Sequence, residues 1–341
     1  MVLSMRRIRL SLTPGLYVEF TDRDLALRRV EEWAMRSTRL PKVVFGPEGC
    51  GKTAWLRQSA ELLRELGFHV IYVDPLNKYF EAHTDVKEVV DKLAEAAAEV
   101  FGTAKVKLAS LAIDLAKLLI ERRRRKIAVL VDDVFQAIGL REAATYVKAL
   151  LNLIEYPPQS VDAIVVIAAT GEGVTRREIG RHYWADIMPM WNMPREGFKQ
   201  LYEQLPGDKP PFEEVWRATG GNPRLLEELY EVGWDINGVV KRILEGKRIS
   251  AFIEALKDDE REILRKALED PDALFTREGI LLMNKLVDMN LIMDAIPERD
   301  PQLWVGEAPP EKDPELGVGR NVAWQAPLHR EAVKYALEGY G

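Results

Sequence analysis

Val43-Val44-Phe45-Gly46-Pro47-Glu48-Gly49-Cys50-Gly51-Lys52-Thr53 is the decisive stretch: an apolar run, a glycine-rich turn, then a lysine and a hydroxyl at the head of a helical segment. It satisfies the pattern G-x-x-x-x-G-K-[ST] in full. Glycines let consecutive backbone N–H groups close around an anion where side chains would obstruct them. A helix beginning at Lys52 aims the positive end of its dipole at that anion. The pattern therefore predicts a phosphate loop, with Gly46, Pro47, Glu48, Gly49, Cys50, Gly51, Lys52, Thr53 and Ala54 around a nucleoside triphosphate, taken as ATP or ADP. Lys52 supplies a point charge for the β- and γ-phosphates, and the Thr53 hydroxyl is a ligand for Mg²⁺. Cys50 reads in two ways, as a thiol activated by an electropositive setting or as a small residue that fits.

Working outward, the runs Val70-Ile-Tyr-Val73, Ile127-Ala-Val-Leu-Val131 and Ala163-Ile-Val-Val-Ile-Ala168 lack polar alternation, as strands covered on both faces do. Helical periods lie between them. Residues 52–66 end at Gly67, and residues 86–100 place Val86, Val89, Val90, Leu93, Ala97 and Val100 on one face. Alternating strand and helix predict an α/β fold with a parallel sheet. The run to Val131 ends in Asp132-Asp133, a Walker B element in form. Asp132 is the candidate Mg²⁺ carboxylate and Asp133 the group that orients or deprotonates water. Strand ends also carry Asp as a plain turn residue. After the next strand come Ala169-Thr170-Gly171-Glu172-Gly173 and then Arg176, Arg177 and Arg181. Thr170 is a candidate γ-phosphate sensor or a cap, and Arg181 a charge-stabilising finger or an exposed helix arginine.

Ile187-Met-Pro-Met190 suits a last edge strand, and strand signals then stop. Residues 195–246 read as short helices broken at Pro210-Pro211, Gly220-Gly221 and Gly233, with Asn222 as an N-cap and Pro223 as a first helical residue. A helix over 251–268, with Asp259 and Glu262 spaced as an acidic capping box, is followed by a helix from Thr276 to Met289. Two extended segments, 291–296 and 321–325, complete a winged-helix pattern. The expected domains are an ATPase core at 1–193, a helical lid at 194–250 and a winged helix at 251–341.

Bulk properties narrow the class. The chain has 341 residues, one cysteine and four scattered histidines, so neither an internal disulfide nor a histidine metal site is expected. No apolar run approaches the roughly 20 residues of a membrane span, and the start is too short and early-charged for a signal peptide; a cytoplasmic protein is the reading. A charged fraction of 30% with few Asn, Gln and Cys leans toward a thermophile. Net charge is −6 overall, but residues 251–341 carry 11 Lys and Arg against 19 Asp and Glu.

The chain resembles the archaeal ATPase family, a branch of the AAA+ and STAND P-loop ATPases, along nearly its whole length. Phe20-Thr-Asp-Arg23-Asp-Leu-Ala-Leu is similar to the family's F-x-x-R-E-x-E-L entry, which implies Phe20 and Arg23 near the adenine. Asp132-Asp133-Val-Phe-Gln136 resembles D-E-x-x-Q, with Asp in place of Glu at 133. Gly180-Arg181 matches a G-R after the sensor strand. Gly220-Gly221-Asn222-Pro223-Arg224 resembles the lid's G-x-P motif, which implies Pro223 on the base and Arg224 near a sensor arginine. The resemblance implies a slowly hydrolysing, nucleotide-driven switch.

Its partner is expected to be a protein, or a second copy of the chain. A DNA-binding winged helix of the initiator type is the rival. The acidic C-terminal region opposes it, because a DNA-facing module presents a basic face. The helix at 277–289 offers only Arg277 and Lys285 against Glu278 and Asp288. The run Arg122-Arg-Arg-Arg-Lys126 is either a nucleic-acid footprint or a solvated helix end. A P-loop kinase is a third reading, opposed by the lid and the C-terminal domain.

Overall fold

The computed structural model describes residues 5–98, 104–171 and 173–339. Its elements begin with a hairpin, β1 (Arg9–Thr13) and β2 (Leu16–Glu19), then α1 (Asp24–Arg36), β3 (Lys42–Phe45), α2 (Lys52–Glu65), β4 (His69–Asp74) and β5 (Tyr79–His83). There follow α3 (Lys87–Ala98), α4 (Ala104–Glu121), β6 (Lys126–Asp132), α5 (Val134–Ile138), α6 (Leu140–Glu155), β7 (Ala163–Thr170), α7 (Gly173–Ile179) and β8 (Asp186–Pro189). The remainder is α8 (Arg195–Glu203), α9 (Phe212–Thr219), α10 (Pro223–Glu231), α11 (Ile236–Gly246), α12 (Ile249–Glu254), α13 (Asp258–Glu269), α14 (Ile280–Asp288), β9 (Ile292–Met293), β10 (Ala323–Trp324) and α15 (Pro327–Glu338). By its internal contacts the chain divides into two compact units.

The first unit, which ends at Pro189, holds a six-stranded sheet in the order β5-β4-β6-β7-β3-β8. β4, β6, β7, β3 and β8 run parallel, as the apolar runs predict. β5 departs from the expected parallel sheet: it pairs antiparallel with β4. The four residues Pro75–Lys78 are too few for a crossover, so the chain can only fold back. The Asp74 carboxylate pins that turn, accepting from Asn77 N–H at 3.0 Å and Asn77 Nδ2 at 2.8 Å. Every residue of β7, and all of β6 but its first, is buried. α2 ends before Gly67, whose φ of +81° is the left-handed value that favours glycine there. In α3, Val89 and Leu93 join the core but Val90 is 43% exposed, contrary to its expected place on the buried face. Val100, the side chain of Ala97 and Glu172 lie outside the described residues.

The second unit contains residues 9–22, the loop 46–51 and everything from Met190. Residues 9–22 and 46–51, inside the span expected for the core, thus cluster here. Val18 of the hairpin, Phe198 and Leu201 of α8, Leu226 of α10, Val239 of α11, Leu286 of α14, Trp324 of β10 and Leu328 of α15 belong to one apolar cluster. The expected lid and C-terminal segments share it. Burial of some two dozen large apolar side chains, at about 1.5–3 kcal/mol each, is the main force holding this unit.

Asn222 caps α10 as expected, its Oδ1 accepting from Arg224 and Leu225 N–H, with Pro223 at the first turn. The helix expected over 251–268 is two helices, because Lys257 is extended at ψ 163°. The capping contact is two residues earlier than Asp259 and Glu262: the Glu260 carboxylate accepts from Lys257 N–H at 3.2 Å. Thr276 caps a turn, accepting from Gly279 N–H at 3.0 Å, and α14 proper starts at Ile280. The two extended segments pair antiparallel over two residues each. Asp272 anchors the second of them, accepting from the N–H groups of Arg320, Asn321 and Val322.

Candidate active site

In the first unit, β3 and β7 are neighbours whose onward connections leave in opposite directions, β3 to β4 on one side and β7 to β8 on the other. In open parallel sheets this switch point, at the carboxyl ends of the strands, is where a crevice opens for ligand. Phe45 closes β3 in register with Thr170 closing β7, and Asp132 closes β6 in register with Ala169. The glycine-rich loop, the candidate Mg²⁺ carboxylate and the candidate sensor therefore follow three adjacent strand ends.

The loop itself explains its glycines in two ways. Gly49 and Gly51 adopt φ of +76° and +97°, which L side chains rarely adopt. A Cβ on Gly46 would lie 1.9 Å from the Met190 carbonyl oxygen, and one on Gly49 2.3 Å from Arg224 Cβ. Close packing, as well as access for an anion, excludes side chains here. Glu48 N–H donates to Gln325 Oε1 at 2.9 Å, and the Glu48 carbonyl accepts from Asn222 Nδ2 at 2.8 Å. Asn222 Nδ2 also donates to Asn192 Oδ1 at 2.9 Å, and Asn192 Nδ2 to the Gln325 carbonyl at 2.8 Å. Cys50 is fully buried with its thiol 3.7 Å from the Met190 carbonyl, which fits the small-residue reading.

Lys52 opens α2 and is buried, 7% exposed. Asp132 is 1% exposed, and its carboxylate accepts from the hydroxyls of Tyr72, at 3.0 Å, and Thr53. Burial pushes the Asp132 carboxyl above the usual carboxylate range, and the nearby Asp74 adds to this; Thr53, Tyr72 and Lys52 pull it back. Among the described residues no group of three or more His, Cys, Asp or Glu is disposed to hold a metal alone. A hydroxyl and a carboxylate, with phosphate oxygens completing the shell, is the hard-oxygen set that Mg²⁺ takes in phosphoryl-transfer sites. Thr53 and Asp132 fit that ion, and ATP would bring the rest of its ligands.

Asp133 is half-buried at the turn into α5 with φ +45°, and its N–H donates to the Ala169 carbonyl at 3.1 Å. Asp tolerates this left-handed conformation. Thr170 is fully buried. The Arg181 side chain is 70% exposed and paired with Glu178 at 3.1 Å. The Arg176 guanidinium instead lies 5.2 Å from the centre of the Phe45 ring, at the root of the loop. Phe20 is buried in the second unit, and Arg23 is buried in the first, with φ +62° before α1. Pro223 lies 3.8 Å from where a Gly51 Cβ would stand; Arg224 donates its N–H to the Gly49 carbonyl at 3.3 Å, while its exposed side chain pairs with Glu228.

Sequence reasoning missed Tyr72, Asp74, Arg57 and Gln325. The first two carried a signal: Val70-Ile-Tyr-Val-Asp74 repeats the design of Ile127–Asp132, and a tyrosine in a strand covered on both faces needs a partner for its hydroxyl. Gln325 carried none, because its partner Glu48 is 277 residues away.

Residues 20–229 match a family described as the ATPase domain predominantly from Archaea. The structure aligns with AMPPCP-bound DnaA from Aquifex aeolicus at 16% identity, over 77% of this chain and 82% of that one, with a TM-score of 0.38. It aligns with the Aeropyrum pernix ORC1 protein in complex with DNA at 15% identity, over 96% and 94%, with a TM-score of 0.38. A Thermotoga maritima RuvB variant aligns at 14%, over 81% and 90%, with a TM-score of 0.38. At these identities and scores no residue role or partner passes from them to this chain. The comparison with curated proteins returned no match.

Proposed function

Because this chain belongs to the family of ATPase domains found predominantly in Archaea, we propose that its P-loop is a Mg²⁺-dependent, slowly turning switch that a protein partner reads. The chain is a P-loop ATPase. The observation that carries the finer reading is the set of buried Lys52, half-buried Thr53 and buried Asp132, assembled at the strand ends near the switch point.

The residues divide the work. Loop N–H groups and the Lys52 ammonium bind the β- and γ-phosphates. Thr53 and Asp132 would hold Mg²⁺, which when bound neutralises charge developing on the phosphoryl oxygens. Asp133 takes a proton from the attacking water as its oxygen bonds to the γ-phosphorus and the bond to the ADP oxygen breaks. The Thr170 hydroxyl, at the end of β7, donates to the γ-phosphate. Phe20, Arg23, Pro223 and Arg224 are proposed contacts for the nucleotide's base side, and Arg176 joins Arg181 as a candidate charge stabiliser.

The amide network from Glu48 through Asn222, Asn192 and Gln325 supports a switch. It ties the peptide of the phosphate loop to the residue two before α15. A loop displaced by phosphate must break or keep these bonds, so nucleotide state biases the position of that helix.

A protein partner is favoured over DNA by what the start of α14 and the turn before it expose. Phe275, Ile280 and Leu281 are 53%, 40% and 68% exposed, while Lys285 is engaged by Glu260 at 2.6 Å. The other basic run is ion-paired too: Arg122 with Glu88, Arg124 with Asp85 and Arg125 with Asp162. In fluorescence anisotropy titrations against duplex DNA at 50 and 200 mM salt, the expected result is weak binding at both. Tight binding that falls steeply with salt would transfer the proposal to the DNA-binding reading.

A further inference from the structure

We propose that Tyr72 is a positioning residue for Mg²⁺ binding, clamped by Arg57 so that its hydroxyl aims the Asp132 carboxylate. This rests on Asp132 being the metal-side carboxylate. Tyr72 stands in the middle of β4 and is 1% exposed, yet its hydroxyl donates to Asp132 Oδ2 at 3.0 Å across to β6. The Arg57 guanidinium in turn stands beside the Tyr72 hydroxyl, close enough for its charge to act on that oxygen. The Arg57 guanidinium is fixed over the Tyr79 ring at 4.5 Å, and the Tyr72 and Tyr79 rings meet edge to face at 5.7 Å.

The arrangement couples two would-be metal groups through one helix. Arg57 follows Thr53 by one turn of α2, so the helix that presents the Thr53 hydroxyl also carries the clamp on Tyr72. Asp132 accepts one bond from Thr53 directly and one from Tyr72, whose own anchor is Arg57. A carboxylate held by Thr53 of α2 and by a tyrosine of β4 that the same helix anchors through Arg57 loses most of its rotational freedom before metal arrives, so binding costs less ordering. A purely structural tyrosine would need no charged clamp; phenylalanine would fill the same volume.

The test uses the full chain and a fluorescent ATP analogue, titrated with Mg²⁺ and separately in EDTA. Tyr72→Phe is expected to leave nucleotide affinity in EDTA within about twofold. The Mg²⁺ concentration for half-maximal strengthening should rise about tenfold, while kcat at saturating Mg²⁺ stays near wild type. Mn²⁺ binding followed by electron paramagnetic resonance should weaken in parallel. Arg57→Gln should move both readings the same way by less, and Arg57→Lys should recover part of the loss. An unchanged Mg²⁺ midpoint in Tyr72→Phe, or an equal loss in EDTA, overturns the proposal. Should Tyr72→Phe fail to fold, an unchanged midpoint in Arg57→Gln overturns it equally. Asp132→Asn separates the two levels: if it too leaves Mg²⁺ dependence intact, the metal assignment fails and not the clamp alone.

Discussion

Lys52→Ala is expected to cut ATP hydrolysis by roughly 10²–10³-fold, the usual cost of losing one preorganised charge from a buried phosphate site, and to weaken nucleotide binding with it. The side chain is almost wholly buried at the first turn of α2, where its charge also acts on Asp132. An ammonium fixed there is held at the head of the helix, where phosphate oxygens meet both its charge and the helix dipole. Alanine keeps the helix start, since Ala is a strong helix former. Phosphate release and equilibrium nucleotide binding, measured on the same preparation, check the result. Wild-type turnover in this variant would sink the assignment of the loop.

Asp133→Asn should behave differently: Mg-ATP binding retained, hydrolysis lowered by roughly 10²–10⁴-fold, the range of a lost general base. The substitution is well controlled because Asp133 sits at φ +45°, which asparagine also tolerates, and its backbone bond to Ala169 does not involve the side chain. The turn into α5 therefore survives while the proton acceptor is removed. Single-turnover hydrolysis beside a binding titration separates the two effects. If binding vanished along with hydrolysis, the division of labour between Asp132 and Asp133 would be wrong.

The sheet was legible because its strands are covered on both faces, and uninterrupted apolar runs such as Ile127–Val131 have few other uses in a chain of this class. The phosphate loop was legible because phosphate binding by backbone demands glycine, lysine and hydroxyl at fixed spacing. What escaped lies in contacts made across the fold. β5 was hidden because Tyr79–His83 mixes polar and apolar residues, as an exposed edge strand does. Arg57 reads from sequence as one more helix arginine, and only the packing of β4 against β6 gives it Tyr72 to hold. The split of the helix expected over 251–268 turned on the backbone of a single lysine, which periodicity does not report.

Among the candidate residues, spacing served best where the chemistry is local. Lys52, Thr53 and Asp132 meet as their motifs imply, since each sits at a fixed step from a strand end. Arginine was harder, because the side chain is long and its neighbours decide its aim. Arg181 extends into solvent beside Glu178, whereas Arg176, five residues earlier in α7, reaches Phe45 at the base of the loop.

The central claim is a single Mg²⁺-assisted ATP site in the P-loop, and calorimetric titration of the full chain with ATP, with and without Mg²⁺, tests it most directly. The prediction is one ATP per chain, bound more tightly with Mg²⁺ than in EDTA. No binding, or binding indifferent to Mg²⁺, would contradict it.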